Sequence, residues 1–165
     1  MSVIAAFGIP DTDPDFHFAN DGVLAPEWEE QADLVRDLFT FAVVRNPWDR
    51  FVSAWQYCRS TRQRSLAAVL RRPPMTGHDY RHVTRGQCAT LFQPDGTLAV
   101  DHLIRYERLQ EGFDEVCDIL AMPGVALAPH NVGDRPPYQE VFDARTRRLF
   151  ARRYRDDIER LGYEF

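Results

Sequence analysis

Apolar residues gather along this chain in short runs that alternate between two periods. Residues 40–44 (Thr-Phe-Ala-Val-Val) form a compact, β-rich run, too short for a helix and of the kind that fills a central parallel strand. Pro47 follows at once and suits a first helical position, where its missing N–H costs nothing and its φ is already helical. Phe51, Val52, Trp55 and Cys58 then recur at helical spacing, which predicts a helix covering the sheet. Upstream, residues 26–39 read as a helix with Trp28, Leu34, Val35 and Leu38 on its apolar face and acids in its first turn. Residues 2–9 could be a short strand, and residues 10–15 an acidic, turn-rich loop.

Downstream, residues 66–70 support a helical turn or two before Pro73-Pro74 stops them. Pro94-Asp-Gly96 turns the chain into a strand predicted over residues 98–106, and a helix opening at Arg105 would bury Phe113, Val116, Cys117 and Leu120. The clearest helix is residues 143–161. Asp143 is its N-cap, Phe150, Tyr154, Ile158 and Leu161 form its stripe, and Gly162 stands just past its end. Asp156, Asp157 and Glu159 are expected to pair with its arginines. Strands alternating with helices predict an α/β fold around a short parallel sheet.

Composition narrows the picture. The 165 residues suit a single domain, residues 1–165, with a sizeable core. A net charge of -5 removes any general attraction to nucleic acid. The charge is uneven, since residues 1–40 hold nine acids against Arg36 alone while the arginines come later. Every Lys/Arg position is arginine; the sequence contains no lysine. Cys58, Cys88 and Cys117 are odd in number and widely spaced, which predicts buried reduced thiols and neither a disulfide frame nor a metal site. No run is long enough to span a membrane, and residues 2–9 lack the basic flank of a signal peptide, so the expected location is cytoplasmic.

The candidate chemistry lies at the end of the first predicted strand. Arg45 occupies the carboxyl end of that strand, where open α/β sheets bind ligands. The N–H groups after Pro47 are expected to face the same place and favour an anion. Ser53 lies about two helical turns on, where its hydroxyl could reach a group held by Arg45. An arginine fork, a helix N-terminus and a hydroxyl together describe a phosphate site.

The stretch Arg45-Asn-Pro-Trp-Asp-Arg-Phe-Val-Ser53-Ala-Trp55 resembles the 3'-phosphate-binding motif of the carbohydrate-type (family 2) sulfotransferases. The resemblance extends over residues 33–165, through His82-x4-Gln87, Asp101-His-Leu-Ile-Arg-Tyr-Glu107-x-Leu109, and the closing Tyr154-x-x-Asp-Ile-Glu-x-x-Gly-Tyr-Glu-Phe165. It implies a three-layer, P-loop-like fold and sulfuryl transfer from 3'-phosphoadenosine-5'-phosphosulfate to an acceptor hydroxyl on a carbohydrate, with no metal. It further implies that Arg45 and Ser53 hold the 3'-phosphate, that Gly133 and Arg135 belong to a late loop closing over it, and that His17 stands where some members place the catalytic base. The family's lysine loop for the 5'-phosphosulfate has only an echo at Ile9-Pro10-Asp11-Thr12, with an aspartate in the lysine's place. Two readings therefore stay open. One is a sulfotransferase whose N-terminal βα unit is missing or degenerate; the other is a non-catalytic relative that binds a 3'-phosphonucleotide or a partner. A missing first βα unit would expose a sheet edge and favour oligomers. The arginine-rich residues 59–85 serve equally as a solvated surface or as a face for an anionic acceptor.

Overall fold

A computed structural model describes residues 38–127 and 135–165. The chain divides into two compact units, the first holding residues 1–44 and 90–134, the second residues 45–89 and 135–165.

The first unit is built on a two-stranded parallel sheet of β1 (Phe41–Val44) and β2 (His102–Arg105), with Phe41 opposite His102 and Val44 opposite Arg105. Its entry is clasped by Asp101, whose carboxylate accepts from both the N–H and the hydroxyl of Thr40 at 2.8 Å. β2 is shorter than the predicted 98–106 strand. Gly96, at φ 89, turns the chain, and Leu98 instead forms an isolated antiparallel bridge with Phe92. After a 3-10 turn (Tyr106–Arg108), a helix (Leu109–Ile119) buries Phe113, Val116 and Cys117 as predicted. It approaches β2 so closely that a Cβ on Gly112 would stand 2.6 Å from Ile104 Cγ2. Leu120, expected in the core, is exposed, because the helix ends before it and Ala121 takes φ 52. The helix predicted over residues 26–39 lies almost wholly outside the described residues. Its last positions are not helical, and Leu38 is exposed.

The second unit is helical. α1 (Pro47–Tyr57) starts with Pro47 at its first position, and buries Trp48, Phe51, Val52 and Ala54. α2 (Leu66–Arg71) is capped by Ser65, whose hydroxyl accepts from the Ala68 N–H, and ends just before Pro73. A single helical turn (Gly77–Asp79) runs into a π-helical turn (Tyr80–Thr84). After α3 (Tyr138–Val141) come α4 (Ala144–Arg153) and α5 (Arg155–Arg160). Asp143 caps α4 in a reciprocal box with Thr146. The long helix predicted over residues 143–161 is thus broken at Tyr154, whose hydroxyl donates to the Val83 carbonyl at 2.7 Å. The core of this unit is aromatic. Phe51 meets Phe150 edge-on at 5.2 Å between ring centroids, Phe150 stacks on Tyr154 at 4.4 Å, and Trp48 packs between Tyr138, Phe150 and Phe165.

The architecture is α/β as expected, with mixed helix and a short parallel sheet. Cys58, Cys88 and Cys117 are buried and unpaired with one another, and burial is the chief cause that pushes the Cys88 thiol up to about 12. Among the described residues, no helix is long and apolar enough to cross a membrane.

Candidate functional site

Arg45 precedes Asn46, the N-cap of α1. The Asn46 side-chain oxygen accepts from the N–H groups of Trp48 and Asp49 at 3.1 and 3.2 Å, and its amide nitrogen donates to the Tyr138 hydroxyl at 3.3 Å. The sequence had aimed those helix N–H groups at an anion; the cap takes two of them instead. Attraction for an anion here rests on the helix dipole and on charged side chains.

The Arg45 backbone is gripped by one glutamine. Its N–H donates to Gln87 Oε1 at 2.9 Å, and Gln87 Nε2 donates back to the Arg45 carbonyl at 2.9 Å. Gln87 is itself anchored, since its N–H donates to Asp157 Oδ2 at 2.7 Å while the Cys88 N–H donates to Oδ1 at 2.9 Å. Asp157 is 2% exposed. Expected as a surface ion-pair partner on the last helix, it is a buried receptor for two backbone donors. It also supports Arg50, whose pKa burial drives down and the Asp157 charge pulls back up, and whose Nη2 donates to the Arg81 carbonyl at 3.2 Å. The chain Asp157–Gln87–Arg45 fixes where the backbone enters α1.

The Arg45 side chain turns onto the first turn of that helix. Its Nε and Nη2 lie 2.6 and 2.5 Å from Asp49 Oδ2. Arg135, 86 positions further along the chain, grips the same carboxylate with both prongs, Nη1 to Oδ1 at 2.7 Å and Nη2 to Oδ2 at 2.9 Å. All three side chains are about four-fifths buried. Burial is the largest single influence on Asp49 and favours its neutral form, yet the hydrogen bonds and charges of Arg135 and Arg45 together outweigh it and hold the carboxyl below its ordinary 3.8. Two guanidiniums thus meet on one carboxylate, in a setting where screening is weaker than in open water.

Ser53 lies one turn beyond Asp49 on the same helix face, about 6 Å along the axis. It is half-buried, and its hydroxyl makes no hydrogen bond among the described residues. Of the residues singled out in the sequence, Arg45 and Arg135 therefore meet on Asp49 in the first turn of α1, and Ser53 lies one turn further along.

The family model described as Sulfotransferase family matches residues 17–164. The chain belongs to that family. No curated protein and no solved structure matches it. Within this sulfotransferase-family chain, the matched segment takes in the whole Arg45–Asp49–Arg135 cluster and the Gln87–Asp157 support behind it. His17 and Gly133 lie outside the described residues.

Three residues of the cluster and its support were missed in the sequence. Asp49 carried a signal, four positions after Arg45 within one helical turn's reach. Gln87 was noted only as the end of His82-x4-Gln, and Asp157 only as part of the closing Tyr-x-x-Asp pattern. Their connection over 70 residues has no local signature.

Proposed function

We propose that the chain is a sulfotransferase that binds 3'-phosphoadenosine-5'-phosphosulfate through Arg45, Ser53 and Arg135 and transfers its sulfuryl group to a hydroxyl of a carbohydrate acceptor. The observation that carries this reading is the meeting of Arg45 and Arg135 on Asp49, beside Ser53. An arriving 3'-phosphate would share the guanidinium donors with Asp49 and take a further bond from the serine hydroxyl. Arginine suits this task because its planar fork matches a phosphate edge. Gly133, two positions before Arg135 in the sequence, belongs to the same side of the nucleotide in this reading.

The fuller architecture belongs to the proposal too: one domain, three-layer and P-loop-like, with β1 and β2 as two of its parallel strands. The reaction is in-line displacement. The acceptor oxygen attacks sulfur, the bond from sulfur to the phosphate oxygen breaks, and the hydroxyl proton passes to His17 as base. The leaving charge falls on the 5'-phosphate, while the arginine cluster, on the 3'-phosphate, holds the nucleotide in line for the displacement. Exposed Arg59, Arg62, Arg71, Arg72 and Arg81 suit an acidic saccharide.

A second reading rests on one observation, the absence of lysine from the sequence. With no lysine to bind the 5'-phosphosulfate, the same pocket would hold a 3'-phosphonucleotide without turnover. Incubation with labelled 3'-phosphoadenosine-5'-phosphosulfate and a panel of saccharides separates the two. Label transfer that Arg45→Ala abolishes establishes the enzyme. Nucleotide binding without transfer selects the second reading, and neither result from folded protein removes both.

A further inference from the structure

A second cluster of reactive side chains stands at the far end of α1, and phosphate chemistry makes no use of it. Cys58, the C-cap of α1, is buried, and His78 and Asp79 come from the single helical turn that leads into the π-helical turn. One ligand-type atom from each of the three lies within 4.8 Å of the others. His78 Nδ1 is 3.2 Å from Asp79 Oδ1, while Asp79 Oδ2 is steadied by the Ser60 N–H at 3.0 Å. His82 follows at the far side of a His-x3-His spacing, its ring centroid 4.2 Å from that of His78. Such π-helical turns are rare and concentrate at functional sites.

We infer that Cys58, His78, Asp79 and His82 form a site for a borderline divalent transition-metal ion, Zn²⁺ first among them. The donor set decides the class. A thiolate and two imidazoles with one carboxylate match tetrahedral zinc, whereas magnesium and calcium require oxygen donors. In tetrahedral zinc geometry neighbouring ligand atoms stand about 3.3–3.7 Å apart, which follows from bond lengths of about 2.0–2.3 Å. The His78–Asp79 separation of 3.2 Å stands close to that edge, and the gaps from Cys58 to His78 and Asp79, each within 4.8 Å, need close by no more than about one ångström, while His82 would swing in from its place beside the His78 ring. A cavity of about 440 Å³, lined by Ser60, Arg64, Pro73, Met75, His78 and Asp79, gives an ion access. The guanidinium on that wall is turned aside, because Arg64 donates to the Ala68 and Arg72 carbonyls at 2.9 and 2.7 Å. Bound metal would release the thiol proton and clip the end of α1 to the turn that leads on to Gln87. This site is independent of the phosphate reading.

The test uses tag-free, chelator-stripped protein titrated with Co²⁺ and then Zn²⁺. The expected result is one ion per chain, with the visible bands of tetrahedral Co²⁺ and a thiolate-to-metal charge-transfer band that Zn²⁺ displaces. Cys58→Ser should lose the charge-transfer band. His78→Ala, at an exposed position that leaves the core alone, should weaken Zn²⁺ binding at least about 100-fold, while His102→Ala should leave it unchanged. Wild-type protein without these bands, or Zn²⁺ affinity indifferent to His78→Ala, overturns the proposal. Should Cys58→Ser fail to fold, the Zn²⁺ affinity of His78→Ala decides between the two outcomes.

Discussion

Removing the Asp157 carboxylate should be among the costliest single changes in the second unit. In Asp157→Ala the N–H groups of Gln87 and Cys88 lose their acceptor in a site 2% exposed, where water cannot replace it. A hydrogen bond to a charged group contributes about 1.5–3 kcal/mol, so the pair amounts to about 3–6 kcal/mol. Arg50 also loses the charge that offsets its burial. Domains of this size lose about 2–4 °C of melting temperature per kcal/mol, which places the expected drop at about 6–24 °C. Urea titration followed by circular dichroism, with a parallel thermal melt, gives both numbers. Asp157→Asn should fall between, because its amide oxygen can serve one N–H while its NH₂ opposes the other. A stability for Asp157→Ala within about 0.5 kcal/mol of wild type, the range of ordinary surface changes, would refute the claim that this carboxylate anchors Gln87 and, through it, Arg45.

Two glycines and one acid extend the account. Gly86→Ala would place a Cβ 2.8 Å from Asp157 Oδ1 and should destabilise by about 1–3 kcal/mol, with much of that loss absent in an Asp157→Ala background, as a double-mutant cycle would show. Gly112→Ala meets Ile104 Cγ2 at 2.6 Å and should cost about 1–3 kcal/mol in urea denaturation, the overpacking cost of a helix pushed off β2. Asp49 is held below its ordinary 3.8, so its contribution is fully present above that value and is lost as pH falls through the lower folded value. The urea midpoint of the wild type should therefore fall below pH 4, and the fall should be smaller in Asp49→Asn.

The legible part of the fold was the part fixed by short-range rules. The apolar run before Arg45, the proline opening α1, the Asp143 cap and the Gly162 stop all act within a few residues, and each appears in place. The strand before Tyr106 came out short because a turn at Gly96 and the bridge at Leu98 took backbone that its apolar content had assigned to pairing. The final helix broke because the Tyr154 hydroxyl finds its partner on Val83, a contact between distant segments. The site divides the same way. Arg45 and Ser53 were visible because helical spacing joins them, and Arg135 because of family likeness. Asp49 stood in the same motif with no role read for it. The grouping of Cys58 with His78 and Asp79 was invisible because Cys58 and His78 are 20 positions apart, and sequence spacing alone does not bring them together.

Calorimetric titration with 3'-phosphoadenosine-5'-phosphate tests the central claim most directly, with 5'-AMP and Arg45→Ala as controls. Wild-type protein should bind the bisphosphate and discriminate against 5'-AMP. Arg45→Ala should lose about 1.5–3 kcal/mol, or about 10- to 150-fold in affinity, as expected for charge-assisted bonds to phosphate. Folded wild-type protein that binds both nucleotides equally, or not at all, or an Arg45→Ala variant of unchanged affinity, would contradict a 3'-phosphate pocket built on Arg45, Arg135 and Ser53.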